Sequence, residues 1–302
     1  MSNKLVTKIV RLSGVLAAGV ALLAVNACSA TDRVPASSSA TPLPQAARLI
    51  SITPSLTETI CDLGLTSQLV ARTANDDYPP EILGLPQIGD IQPNYEAMVA
   101  LHPDAVLLDT MATSESLRQR LDSLGFRVIS TRIDTLNDLS QQLPYLGQQL
   151  GCQSEALALQ QRVKQALAAL QQGAASLPRH PRVFLDVYHQ PLMTAGGTGL
   201  MHELLLLAGG INVFDNIDKA YPQIDSEDLL LSQPDIVVLT SLSLEQARKH
   251  PQLGQLAAVR EGRALAINPS LLQRPTLRSL QGVQMMQDYF RSWAQSPTAK
   301  VF

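Results

Sequence analysis

The sequence contains one block twice. Glu96 is followed by Pro103-Asp104 and then by Val106 and Leu108, and Glu227 is followed by Pro234-Asp235, Val237 and Leu239. All the spacings agree, at seven, eight, ten and twelve residues beyond the glutamate. Each copy reads as a helix, a Pro-Asp turn and a buried strand, because proline disfavours helix at the residue before it and the apolar run after it suits a strand. A chain that repeats such a unit in each half folds as two related lobes. Two lobes leave a cleft, and clefts between domains are where ligands bind.

The rest of the chain fits this division. Strands are expected at 48–53, 68–72, 105–108 and 126–130, alternating with helices that stop at Gly64, Gly125 and Gly151. Ser55-Leu56-Thr57-Glu58 has the spacing of a capping box, with Ser55 as cap and Glu58 reaching back to it. Residues 73–92 hold three prolines and read as irregular. Ser154 to Gln172 has no proline or glycine, and Ala156, Leu159, Val163, Leu167 and Leu170 form one apolar stripe. At 1.5 Å per residue that is a helix of about 30 Å. Strands at 183–187, 236–239 and 264–267 then alternate with helices again, ending in a helix over 277–293. Strands alternating with helices predict an α/β fold with parallel, doubly wound sheets.

The amino terminus is an address. Lys4, Lys8 and Arg11 precede an apolar run from Leu12 to Val25, which is the length of a secretory segment and short for a transmembrane helix. Val25-Asn26-Ala27-Cys28 resembles a bacterial lipobox, in which Cys28 receives lipid; a plain signal peptide cleaved near Ala27 or Ala30 is the alternative. Residues 1–27 are expected to be removed, and 28–47, rich in Ser, Ala, Thr and Pro, to form the lipidated end and a tether. The expected lobes are 48–152 and 179–302, joined by a linking helix at 153–178. The protein is then extracytoplasmic, periplasmic and held to a membrane surface by lipid. Without residues 1–27 the chain has 20 basic and 26 acidic groups, a net charge of −6, which gives nucleic-acid binding no electrostatic support. Cys61 and Cys152 face an oxidising compartment, either as one bridge or as two buried thiols.

Catalytic signals are thin. The chain has no GxxxxGK[ST], HExxH or GxSxG pattern. Gly196-Gly197-Thr198-Gly199 before a helix could cradle an anion, but it lacks a following lysine and reads better as a tight turn. His202 has no partner histidine at helical spacing. His189 follows a strand near the presumed cleft mouth, as a metal ligand or as a hydrogen-bonded structural residue.

The runs RLISITPSLTETICDLG, DDYPPE, PQIGD, PNYEAMVALHPDAVLLD and LDSLGFRVI in the first half resemble the substrate-binding proteins of metal-chelate ABC importers. So do MTAGGTGLMHELLLLAGGINVF and YPQIDSEDLLLSQPDIVVL in the second. The resemblance implies two Rossmann-like lobes joined by a single long backbone helix, small twisting motions and a monomer. It implies a binding protein and not an enzyme, whose metal chelate is cargo and not cofactor. Its partners are a permease dimer and, through it, an ATPase. One glutamate per lobe docks on the permease in that family, and those positions fall on Glu96 and Glu227. A duplicated acid suits a partner of two-fold symmetry, and both acids also suit a helix N-terminus.

DDYPPE, LDSLGFRVI and RPTLR look closest to the cobalamin-binding subfamily. By position the ligand would meet Asn75, Asp77, Tyr78 and Asp90 to Gln92 in the first lobe. In the second it would meet His189, Tyr221 and Ser270, Leu271, Leu272, Gln273 and Arg274. Asn75, Asp90, Leu271 and Leu272 stand where cobalamin binders carry aromatics, which leaves the chelate open. A ferric siderophore would use Arg72, Arg274 and Arg278, and haem could take Tyr78 as axial ligand. A chelatase-like enzyme on the same architecture, with His189 as metal ligand and base, is the alternative of another class.

Overall fold

A computed structural model of the chain describes residues 41–90 and 92–296. Each lobe is built on a sheet whose interior residues are apolar on both faces, the signature of a sheet covered on both sides. In the first lobe β1 (Leu49–Ser51), β2 (Leu69–Ala71), β3 (Ala105–Asp109) and β4 (Val128–Thr131) lie in the order β2-β1-β3-β4, all parallel. Helices α1 (Pro54–Asp62), α2 (Tyr95–Ala100), α3 (Glu115–Ser123) and α4 (Leu136–Leu150) make its connections. Helix α5 (Gln153–Ala175), about 34 Å long, then crosses to the second lobe.

The second lobe contains β5 (Arg182–His189), β6 (Leu192–Thr194), α6 (Leu200–Leu207), β7 (Ile211–Asn212), α7 (Ser226–Ser232), β8 (Ile236–Leu239), α8 (Leu244–Lys249), α9 (Ala257–Arg260), β9 (Ala264–Ala266) and α10 (Ser279–Gln295). Its parallel strands run β7-β5-β8-β9, the order of the first lobe. The parallel sheets are as expected, with one antiparallel strand added at the edge of the second. β5 outruns its parallel neighbour and turns back through Gln190-Pro191 into antiparallel β6. The two strands missed by the sequence reading, β6 and β7, have three and two residues, too few to show a period.

Strand alternation divides the core into three. Leu49, Leu107 and Ile129 of the first sheet and Val183, Leu185, Ile236 and Val238 of the second face one shared core, which also takes the α5 stripe of Ala156, Leu159, Val163 and Leu170. Ile50, Val106 and Leu108 face a separate core under α2 and α3, and Phe184, Val237 and Leu239 face another under α7 and α8. Gly147 allows α4 and α5 to approach, since a Cβ there would stand 2.5 Å from that of Ala156. At the other end of α5, Gln287 of α10 donates to the Leu170 carbonyl at 2.9 Å. The linking helix is therefore bonded into both lobes.

The sequence repeat is a structural repeat. In the first lobe the amide of Arg48 donates to the Asp104 carboxylate at 2.7 Å, and the Asp104 amide donates to the Arg48 carbonyl at 2.8 Å. Arg182 and Asp235 repeat both bonds, at 2.8 Å each. Before each Pro-Asp stands a residue of positive φ, His102 at 46° and Gln233 at 40°. The proline disfavours the right-handed helical region for that residue, and the helix stops before it.

Two local expectations are corrected. Residues 41–47 are not tether: Leu43 and Ala47 are buried in the shared core, and the Leu43 amide donates to the Gln149 carbonyl at 3.1 Å. Nor do Ser55 and Glu58 form a capping box. Helix α1 begins two residues earlier, at Pro54, its cap Thr53 makes no side-chain cap bond, and Glu58 is buried. Cys28 and the leader lie outside the described residues, as does Ile91 within the expected Asp90 to Gln92 segment. Cys61 and Cys152 are free thiols. Burial pushes Cys61 up to about 11 and raises Cys152 as well.

Candidate functional site

In a parallel α/β sheet ligands bind beyond the carboxyl ends of the strands. A cavity of about 210 Å³ opens there between the lobes. Thr53 and Pro54 follow β1, Asp109 ends β3 and is followed by Met111, and Ile133 and Asp134 follow β4. The second lobe closes it with Leu200, Tyr221 and Gln273-Arg274-Pro275.

Asp109 sets the floor. Its buried carboxylate accepts from the Thr131 hydroxyl at 2.7 Å and from the amides of Ile133 at 2.9 Å and Met111 at 2.8 Å. Burial raises its pKa, and these bonds oppose the rise. It is a strut that fixes the loops after β3 and β4. Tyr221 faces Asp134, and its phenol is raised first by burial and then by that carboxylate. Behind them Glu203 of α6 accepts from the Leu136 amide at 2.9 Å, so one lobe caps a helix of the other. Burial raises Glu203, with Asp138 and Asp134 adding to the rise.

The rim of the cleft is an ion network across the lobes. Glu58, 1% exposed, accepts from Arg274 at 2.8 Å, Arg278 at 3.0 Å and the Thr276 hydroxyl at 2.8 Å. Arg274 also donates to Asp77 at 2.6 Å and to the Asn75 carbonyl at 3.0 Å. Burial would raise Asp77, but Arg274 brings it below the usual carboxylate range. Ser270 donates to Asp77 at 3.4 Å, and Asn75 bonds Asp90. The Arg278 guanidinium stands 3.9 Å from the Tyr78 ring centroid.

The structure thus gathers Tyr221, Gln273 and Arg274 on the cavity, with Asn75, Asp77, Tyr78, Asp90 and Ser270 on the rim network. It does not gather the others. Leu272 is 1% exposed and belongs to the shared core, with Leu271 packed against it. His189 lies off the cavity: its Nδ1 meets the Ser241 hydroxyl at 3.0 Å, Ser241 donates to buried Asp186 at 2.7 Å, and His250 stands edge-on with ring centroids 6.0 Å apart. The glycine turn is a turn, because the Gly196 and Gly197 amides donate to Ala220 and Ile217 carbonyls and are closed to an anion. Glu58, Asp109 and Asp134 were missed. Asp109 and Asp134 sit at strand ends, a signal the order of elements already carried.

Glu96 and Glu227 occupy matching places. Each is exposed in the first turn of a short helix, capped by Asn94 or Asp225, whose side chain accepts from the amide three residues on. Among the described residues no three His, Cys, Asp or Glu side chains are grouped to hold a metal ion, and no helix is long and apolar enough to cross a membrane.

The chain is similar to known proteins in sequence and fold. The vitamin B12-binding protein of Vibrio cholerae is 28% identical over 255 residues, covering 83% of this chain and 91% of that one. The crystal structure of the periplasmic vitamin B12-binding protein of Vibrio cholerae superposes with a TM-score of 0.71 at 27% identity, over 82% of this chain and 98% of that one. A periplasmic haem-binding protein from Pseudomonas aeruginosa gives a TM-score of 0.73 at 28% identity, over 85% and 95%. The sequence profile of the periplasmic binding protein family matches residues 49–271. The chain therefore belongs to the periplasmic binding protein family, the substrate-binding components of ABC importers.

Proposed function

We propose that this protein binds a corrinoid in the interlobe cleft and delivers it to an ABC permease, from an extracytoplasmic position held by lipid on Cys28. The state of the arginines carries the choice of chelate. A carboxylate-rich siderophore needs free guanidinium groups. Arg274 and Arg278 are committed to Glu58, and Arg72 donates to the carbonyls of Thr73 at 3.1 Å and Asp76 at 3.3 Å. What faces the cavity is apolar surface from Pro54, Met111, Ile133 and Leu200 with a few polar groups, which suits a large neutral ring. At about 210 Å³ the cavity is below the ~300–1,000 Å³ usual for ligand pockets, so binding of a corrin requires the rim to part.

Calorimetric titration of the purified protein with cyanocobalamin, a ferric hydroxamate and haemin tests the reading. Saturable one-to-one binding of cyanocobalamin, tighter than the other two, is expected; binding of the siderophore alone would refute it. Haem is the second reading, favoured by the 28% identity to the Pseudomonas haem-binding protein and by Tyr78 held at the rim under Arg278. A haemin complex whose absorption spectrum changes in Tyr78→Phe would support it. Loss of labelled-lipid incorporation in Cys28→Ala tests the anchor.

Glu96 and Glu227 are the proposed permease contacts. Two exposed carboxylates, each at the start of a helix in the same place of a repeated lobe, fit a two-fold partner that carries cations. Because α5 is bonded into both lobes, the proposed release is a small twist of one lobe on the other.

A further inference from the structure

Within the cleft one charge is left over. Asp109 is held by three hydrogen bonds, and the charges of Arg274 and Arg278 are matched by those of Glu58 and Asp77. Asp134 lines the same cavity, is half-buried, and its carboxylate has no hydrogen-bond partner among the described residues. Only its amide is used, donating to Asp138 at 3.2 Å. Its charge acts on neighbours of the same sign: it adds to the rise of Glu203 and Tyr221. A carboxylate in such a place stabilises a group that brings it a donor and repels one that brings it negative charge.

We infer that Asp134, with Tyr221 and Gln273 of the other lobe on the same cavity, forms a subsite that selects chelates by their rim chemistry. It accepts N–H donors such as primary amides, or net positive charge, and rejects rim carboxylates. The inference deepens the corrinoid reading and rests on it for the identity of the ring, but the selection it describes applies to any planar chelate in this cleft. Selection works in both directions here. A carboxylate brought beside Asp134 meets no uncompensated positive charge on the cavity wall to offset the repulsion, because the charge of Arg274 is already matched by Glu58 and Asp77. An amide brought to the same place donates to an ionised acceptor, a stronger bond than one to a neutral oxygen.

The test pairs rings that differ at the rim. Dicyanocobinamide carries amides where dicyanocobyrinic acid carries carboxylates, and haemin carries two carboxylates that its dimethyl ester lacks. Kd is measured for all four with the wild-type protein and with Asp134→Asn, whose urea midpoint is checked for folding. The wild type is expected to prefer the amide ring. In Asp134→Asn the amide-to-acid preference narrows roughly tenfold or more, and haemin gains on its ester. If no corrinoid binds the wild type, the corrinoid reading falls and the haemin pair still reports on Asp134. A folded Asp134→Asn protein with unchanged ratios for every ring that binds overturns the inference, and a wild type that binds neither ring overturns both.

Discussion

Replacing Glu58 by alanine tests how the cleft rim is held. The carboxylate is 1% exposed and accepts three hydrogen bonds from the other lobe, two from guanidinium groups whose side chains are only 17% and 16% exposed. Removing one partner of a buried ion pair costs ~3–5 kcal/mol, because the other charge stays buried without compensation. Two features place this site at the lower end. Arg274 keeps Asp77 and the Asn75 carbonyl, and Arg278 keeps the Tyr78 ring. The Thr276 hydroxyl, fully buried, keeps nothing, and an unsatisfied buried hydroxyl costs ~1–3 kcal/mol. These costs overlap, so the expected loss for Glu58→Ala is about 3 kcal/mol, and less for Glu58→Gln, which retains an acceptor of the same shape. The assay is urea unfolding at neutral pH, with the loss read from the midpoint at unchanged m. A double-mutant cycle with Arg278→Ala should return a coupling of about 1–3 kcal/mol. Glu58→Ala within about 1 kcal/mol of wild type, with no coupling to Arg278, would refute the reasoning and make the network a surface feature in effect.

Asp186 is fully buried, its Oδ1 has no hydrogen-bond partner, and burial raises its pKa despite the Ser241 bonds and the nearby His189 and His250. A carboxyl raised on folding contributes stability that is complete below its ordinary value of 3.8 and is lost as pH climbs through the folded value. Asp186→Asn should therefore gain on the wild type in urea unfolding as pH rises from 4 to 8, and a constant difference would count against it. With Cys61 held at about 11, roughly one thiol in a few thousand is ionised at pH 7.5. In a Cys28→Ser variant, Ellman's reagent should find almost no reactive thiol in the native protein and two after urea; none after urea would mean a disulfide. Glu96→Ala with Glu227→Ala should abolish uptake in cells while leaving the Kd for ligand unchanged, and normal uptake would remove the docking proposal.

Local chemistry was readable from the chain, and distant chemistry was not. The paired Pro-Asp turns, the α5 stripe and the alternating strands are visible because each is a pattern of near neighbours. Glu58 shows the limit. Its spacing from Ser55 satisfies a capping box, and nothing within the helix contradicts it except Pro54, which takes the first helical position and shifts the start of α1 by two residues. The partners that claim Glu58 stand 216 and 220 residues away. Leu272 misled for the same reason, since the segment from Ser270 to Arg274 borders the cleft while its second leucine turns back into the core beside Gly282. His189 was placed at the end of the right strand, but β5 runs on into a hairpin and carries it off the cavity to Ser241.

What the lobes share and what they do not share follow from the partners each feature must meet. The strand order, the Arg-Asp bonds, the left-handed residue before each proline and the capped helix carrying an exposed glutamate are all present twice. These define two like frames with matching acids, and only a partner with two like sites gains from keeping them alike. The cleft has no such duplication. Asp109 and Asp134 stand at strand ends of one lobe, where the other offers Tyr221 and Gln273, and the Glu58 network runs from a helix of one lobe to the segment before α10 of the other. On the proposed reading the cargo is a chelate with two unlike faces, which two identical walls could not read, so divergence at the strand ends is what binding it would require. Chelate specificity should therefore move with substitutions at the strand ends, and permease coupling with substitutions on the duplicated helices. A variant at Asp134 that alters delivery without altering binding would break that separation.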